Sequence, residues 1–259
     1  MTLPTAFFGH GSPLNTLTKN RYSTAWRAYA ATLPAPRAIL AISAHWYVPG
    51  TRVSAAPRPP TIHDFNTNFP PALFDFAYPA PGDADLVERV VELLQPTRVQ
   101  RDATSWGFDH GAYCILAHLF PQAEIPLVEL SIDRTKPAGF HYELAARLAP
   151  LRDEGVFIMS SGNVVHNLEL ADRTADREPY EWARRFDADV RRLLDGREHE
   201  ALINYQRLGA DARLSVPTPE HYLPLLYTAA LQRAGERVAT IVEGFDFRAG
   251  SMLSLSIAA

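Results

Sequence analysis

With a single cysteine among 259 residues, the chain cannot close an internal disulfide. Cys114 lies in the apolar stretch Ala112-Tyr113-Cys114-Ile115-Leu116, where a buried, inert thiol is expected rather than a nucleophile. No apolar run approaches the roughly 20 residues that span a bilayer, and no basic start followed by a long apolar stretch marks a secretory signal. The expected compartment is therefore the cytoplasm. An excess of positive charge is missing too: 25 Lys and Arg against 29 Asp and Glu leave a formal net charge of −4. That balance argues against nucleic acid or a membrane surface as partner. Several catalytic signatures are also absent. There is no His-Glu-x-x-His for a zinc protease, no glycine-rich nucleotide cradle, and no Gly-x-Ser-x-Gly elbow to give a serine nucleophile.

What the chain does have is apolar runs bounded by turn residues. Residues 37–44, 126–132 and 156–161 read as buried strands, 5–8 and 238–242 as shorter ones, and 251–257 alternates like a strand with one polar face. Helical periodicity covers 85–94, 137–151, 180–194 and 219–232, the last with Thr218 as cap and Pro219 at the first helical position. Strands alternating with helices predict an α/β fold, with one domain over 1–259 and a central, mostly parallel sheet flanked by helices. Between residues 56 and 82, seven prolines interleave with His63, Phe65, Phe69, Phe74 and Tyr78. A loop this long in a compact domain is usually functional, and its aromatics suit a cover over a cleft or part of an interface.

The histidines carry the chemistry. His10 sits between two glycines after a strand, where the backbone can turn sharply and approach a ligand. His45 ends the strongest strand, and His166 follows another within a Gly-Asn turn. In open α/β sheets ligands gather beyond the carboxyl ends of the strands, so these side chains point to a common site. His221 is open to two readings, a helix-surface residue or a ligand, with Glu220 beside it. His110 suits an inner position held by Asp109 or another carboxylate, and His63-Asp64 a mobile contact in the long loop. His118, His141 and His199 read as structural. Neutral imidazole is both the commonest transition-metal ligand and the group best suited to moving protons near neutral pH, so a metalloenzyme is the leading reading.

Seven stretches then match one family in order: Gly9-His10-Gly11-Ser12-Pro13, Ser43-Ala44-His45-Trp46, Pro60-Thr61-Ile62-His63-Asp64-Phe65, Tyr78-Pro79-Ala80-Pro81-Gly82, Trp106-Gly107-Phe108-Asp109-His110-Gly111, Ser161-Gly162-Asn163-Val164-Val165-His166-Asn167 and Pro217-Thr218-Pro219-Glu220-His221-Tyr222-Leu223-Pro224. The chain resembles the class III extradiol ring-cleavage dioxygenases, the LigB-like superfamily, and within it the branch that cleaves DOPA. The resemblance implies an extradiol dioxygenase that opens a catechol with O2 around one divalent metal at the strand ends. It implies His10, His45 and His221 as ligands, His166 as a fourth ligand or the proton-transfer residue, and His110 as a second catalytic group. His63, Asp109, Ser12 and Trp46 would stand near the substrate or behind the ligands. Ring-cleaving relatives complete the site with a carboxylate. An all-imidazole set suits zinc as well as Fe(II), with Fe(II) expected for oxygen chemistry and zinc for a purified sample. The partners implied are a small catechol and O2, with oligomerisation open. The rival readings are a zinc hydrolase, which would consume no oxygen, and a binding protein of the Memo type that uses this fold without catalysis.

Overall fold

The computed structural model describes residues 2–172, 174 and 177–259. Its centre is a six-stranded sheet of β1 (Thr5–Gly9), β2 (Ala38–Ser43), β3 (Leu127–Glu129), β4 (Val156–Gly162), β5 (Arg237–Val242) and β8 (Ser254–Ala258), in spatial order β3-β2-β4-β1-β8-β5. Strands β3, β2, β4 and β1 run parallel, β8 is added antiparallel to β1, and β5 is antiparallel to β8. The four parallel strands are buried along their whole length because helices cover both faces, so they read as continuous apolar runs. Successive residues serve opposite layers. Phe7, Leu40 and Ile158 pack into one core cluster, and Phe8, Ile39 and Phe157 into the other. Between β5 and β8 lies a short ribbon, β6 (Phe245–Asp246) paired antiparallel with β7 (Gly250–Ser251).

The sheet and flanking helices agree with the α/β expectation, and the differences have local causes. Residues 126–132 do not form one strand: Leu127–Glu129 stays in the main sheet, and Ile132–Asp133 pairs with Tyr47–Val48. The 137–151 helix stops at Ala146 and restarts as Pro150–Asp153, because a proline lacks the N–H and the space to continue a helix. The same rule moves the 219–232 helix. It spans Leu223–Ala230, with Pro224 in its first turn, and Pro219 to His221 form the turn before it. A helix over Arg21–Ala30, capped by Asn20 and Ser23 in a reciprocal box, was not expected; its apolar pattern is weak but its cap is legible. The proline-rich loop is ordered by backbone bonds from Ile62 and Phe108 to each other's strand, and by the Tyr78 hydroxyl donating to Phe120 O at 2.9 Å. Among the described residues, no helix is long and apolar enough to cross a membrane.

A buried ion pair ties the two chain ends to the sheet. Arg152, 1 % exposed, donates to Leu3 O at 2.8 Å, to Leu231 O at 2.6 Å, and through both Nη atoms to Glu236 at 3.0 and 2.6 Å. Burial opposes the charge on Glu236, but Arg152 and the Arg233 N–H outweigh it and hold its carboxyl below the ordinary range. Removing one partner strands the other charge, so Glu236→Gln is expected to cost about 3–5 kcal/mol of folding stability in urea titrations. A depressed folded pKa contributes stability above the unfolded value of roughly 4.3 and loses it as pH falls through the lower folded value. The Gln variant should therefore lack that part of the wild-type decline on the acid side, and equal slopes would show the pair to be inert.

Candidate metal centre and active site

Because β1, β2 and β4 are parallel neighbours, the segments leaving them emerge on one edge, and they carry His10, His45 and His166. His221 joins from the turn before the Leu223–Ala230 helix. Its carbonyl accepts Asn163 N at 2.9 Å and lies against Gly162, where a Cβ would stand 2.2 Å from that oxygen. Only glycine lets the His221 turn seat so closely on the end of β4.

The imidazoles of His10, His45 and His221 form a near-equilateral triangle, with ring centroids 5.0, 5.2 and 5.3 Å apart. Their nearest nitrogens all lie within 4.8 Å of one another, and His10 Nε2 and His45 Nε2 are 3.1 Å apart. Each ring is fixed at its other nitrogen. The Ser161 hydroxyl donates to Gly111 O, so it accepts His10 Nδ1–H at 2.9 Å. His45 Nδ1 lies 2.9 Å from Asp64 Oδ2, and His221 Nδ1 lies 3.2 Å from Glu220 Oε1. An oxygen facing every Nδ1, for His45 a carboxylate at ion-pair distance, favours the proton there and the Nε2 lone pair inward.

The electrostatics fit a cation at that point. Burial, then repulsion from the neighbouring imidazoles, pushes His10 well below its ordinary value, and burial pushes His221 down to about 4. His45 differs: burial opposes its charge, but Asp64 and Asp109 raise it above its ordinary value. A proton between the two facing Nε2 atoms, or a metal ion in its place, satisfies both lone pairs. Metal–nitrogen bonds of about 2.1 Å put ligand atoms roughly 3.4 Å apart in a tetrahedron, close to the 3.1 Å between His10 Nε2 and His45 Nε2. Three imidazoles oriented on one point therefore suit zinc or iron, and His10, His45 and His221 are the residues that would hold it.

Two further histidines face the same cavity of about 480 Å³, whose apolar wall includes Leu14, Phe65, Phe69 and Met252. The His166 ring stacks on His221 with centroids 3.5 Å apart and planes 11° apart, and burial followed by His221 pushes it down to about 2. His110, at the start of the His110–Leu119 helix, is held through Nδ1 and its backbone N–H by Asp64 Oδ1, at 2.9 and 3.0 Å. Burial and His45 lower it to about 4. Both rings are thus held in the neutral form, each with a nitrogen that carries a lone pair.

The structure corrects several expectations. Asp64, read as a mobile contact, bridges His45 and His110 and is held far below the carboxylate range by them, against burial. It takes the place assigned to Asp109, which instead caps the helix and accepts from the Ser43 hydroxyl at 2.6 Å. Asp109 touches the site through Ser43, whose oxygen accepts His45 N at 3.2 Å, and through its charge acting on His45. His63 does not reach the cavity: its Nε2 donates to Phe76 O at 3.1 Å and its ring packs on Phe65, Phe74 and Tyr113. Neighbouring side chains in an extended segment point opposite ways, so with Asp64 turned inward His63 turns out. Trp46 is buried beneath the site, its ring parallel to Trp106 at 5.8 Å. Ser12 does line the cavity, where its oxygen caps Leu14 N. His118, His141 and His199 are engaged in the scaffold by Asn15, Tyr227 and Gln232, and burial pushes the Cys114 thiol up and leaves it unreactive. Asp64 and Glu220 were the residues hardest to assign from sequence, and their signal was adjacency to histidine, His63-Asp64 and Glu220-His221.

Comparisons with known proteins place the chain among ring-opening enzymes. Residues 11–243 match the family described as the catalytic LigB subunit of aromatic ring-opening dioxygenase. The 4,5-DOPA dioxygenase extradiol of Escherichia coli (strain K12) is 47% identical over 258 residues, covering 98% of this chain and 94% of that protein. Its namesake from Beta vulgaris is 34% identical over 238 residues, covering 90% of this chain and 87% of that one. A crystal structure of an uncharacterized protein from Escherichia coli K12 superposes with a TM-score of 0.87 at 42% identity, covering 99% of this chain and 100% of that chain. Similarity to these enzymes over nearly the full length leads to one assignment: the chain belongs to the LigB family of aromatic ring-opening dioxygenases, on its extradiol branch.

Proposed function

We propose that the protein cleaves a catechol such as DOPA beside its diol, inserting both atoms of O2, with Fe(II) held by His10, His45 and His221. The observation that carries this reading is the convergence of three Nε2 lone pairs whose Nδ1 atoms are each held by an acceptor. A bound ferrous ion supplies the positive charge that acidifies the diol and the redox chemistry that zinc lacks. The rest is the protein's work. Asp64 fixes the planes of His45 and His110 together, so one carboxylate sets two ring orientations. His166 suits the base that takes the second phenolic proton on a free ring nitrogen, and its face-to-face stacking on His221 favours that role over a fourth ligand, since the ring packs face-on against a ligand ring rather than standing across the triangle from it. His110 Nε2 is the second proton acceptor at the ring. Phe65 and Phe69, carried by the proline-rich loop, wall off water while the diol is bound. DOPA as substrate rests on the names of the relatives. A single catalytic domain in the cytoplasm, with the lone thiol of Cys114 kept reduced and buried, goes with the same reading.

The test is anaerobic loading with Fe(II) or Zn(II), then oxygen uptake with DOPA and other catechols. Uptake of one O2 per catechol with the ferrous protein, and none with the zinc protein, is the expected result. Hydrolysis of an ester or amide by the zinc protein, with no oxygen consumed by either form, would overturn it.

A further inference from the structure

The cavity is not symmetric about the imidazole cluster. On one side it runs out over the β6–β7 ribbon, where Gly250 has two partners: it pairs with Asp246 across the ribbon and makes an antiparallel bridge to His166 on its other side. Residues directly opposite one another in such a ladder project to the same face. Asp246, Gly250 and His166 therefore form a row on one face, and all three line the cavity. Two strand spacings put the backbones of Asp246 and His166 roughly 10 Å apart. Between them Gly250 offers no side chain. A Cβ placed there would approach only Asp246 O, at 3.2 Å, so the floor of the row is open for a ligand to lie along.

Asp246 is half-buried at the far end of that row. Among the described residues its carboxylate has no ion-pair or side-chain hydrogen-bond partner at contact distance. The nearest cation that influences it, Arg21, acts through space while its guanidinium donates to Glu243 O and lies over the Tyr22 ring. The other carboxylate on the cavity, Asp64, is committed to His45 and His110. No Lys or Arg is found among the described lining residues. An unpartnered carboxylate drawn out of water is costly unless a cation comes to it, and burial accordingly pushes Asp246 up from its ordinary range.

We propose that Asp246 forms a subsite for an ammonium group on the substrate's side chain, so that the enzyme selects catechols bearing a positively charged aminoalkyl tail over those with a neutral or anionic tail. The inference rests on the catechol reading above and deepens it. With the diol at the imidazole cluster and the ring against Phe65 and Phe69, a two-carbon arm carries an amine over Gly250 to Asp246. Dopamine and the amine of DOPA fit that description, 4-methylcatechol lacks the charge, and 3,4-dihydroxyphenylacetate presents a second carboxylate to the first.

Calorimetric binding of dopamine, 4-methylcatechol and 3,4-dihydroxyphenylacetate to the zinc-loaded protein, without turnover, tests the order directly. Dopamine should bind about 10- to 100-fold more tightly than 4-methylcatechol, the range expected for a hydrogen-bonded charge, and the anionic catechol should bind weakest. In Asp246→Asn the dopamine to 4-methylcatechol ratio should collapse toward one, and Asp246→Glu should restore most of it. With the Fe(II) enzyme the same ratio in kcat/KM should move through KM. Equal wild-type affinities for the three ligands, or a ratio untouched in Asp246→Asn, would overturn the subsite while leaving ring opening intact. Absence of binding by every catechol would instead overturn the catechol reading itself, and the subsite with it.

Discussion

His221→Ala is expected to strip the metal from the protein and to abolish catechol cleavage. The side chain supplies one of three lone pairs in the triangle, and it is the one most easily removed without disturbing a strand, since it sits in a turn held by backbone bonds from Asn163 and Tyr222. Changes to groups that merely orient a metal ligand cost about 10- to 100-fold in affinity. Loss of a ligand outright leaves two imidazoles, and affinity should fall by about a thousandfold or more. Metal content after dialysis, read by elemental analysis, and oxygen uptake under saturating Fe(II) check the two consequences separately. A neighbouring change, Glu220→Gln, should weaken metal binding within the smaller range because it frees only the back of the ring. If His221→Ala kept a full complement of tightly held metal, the centre would have to be rebuilt around His45, Asp64 and His110, a converging set of donor atoms that does not use His221.

His166→Ala should have a different signature: kcat reduced by about 10²- to 10⁴-fold, the range of a lost general base, with metal content close to wild type. The expectation follows from the stacking. The His166 plane lies only 11° from that of His221, so the ring packs face-on against a ligand ring rather than standing across the triangle from it. Among the described residues no side chain hydrogen-bonds the ring, and burial and His221 keep it neutral, so what it offers the diol is a vacant nitrogen. If His166 takes the second phenolic proton, catechols with more acidic hydroxyls should suffer less from its removal, because their second proton leaves more readily. A variant that lost both metal and turnover, with no dependence on catechol acidity, would move His166 into the ligand set.

Much of this was legible before any coordinates. The buried strands announced themselves as continuous apolar runs, because a parallel strand covered on both faces has no polar side to show. Histidines at the ends of β1, β2 and β4 were visible for the same reason, since a strand's end is a local event. Long-range pairing was not. That His221 leaves the helix predicted for 219–232 depends on Pro224, whose ring tolerates only the first helical turn, so a local rule existed but competed with the equally local signal of Thr218-Pro219. His63 and Asp64 stand side by side in a proline-rich loop, and nothing in the loop's composition says which of them faces inward.

The residues by themselves determined the α/β class, the family and the candidate histidines, because periodicity, turn residues and short motifs are properties of neighbouring positions along the chain. Tertiary structure alone decided which nitrogen of each ring faces inward, which carboxylate holds two histidines, and that Gly250 opens a path from His166 to Asp246. Those are matters of direction and distance between segments far apart in sequence, and they come into being only when the strands pair and their ends meet.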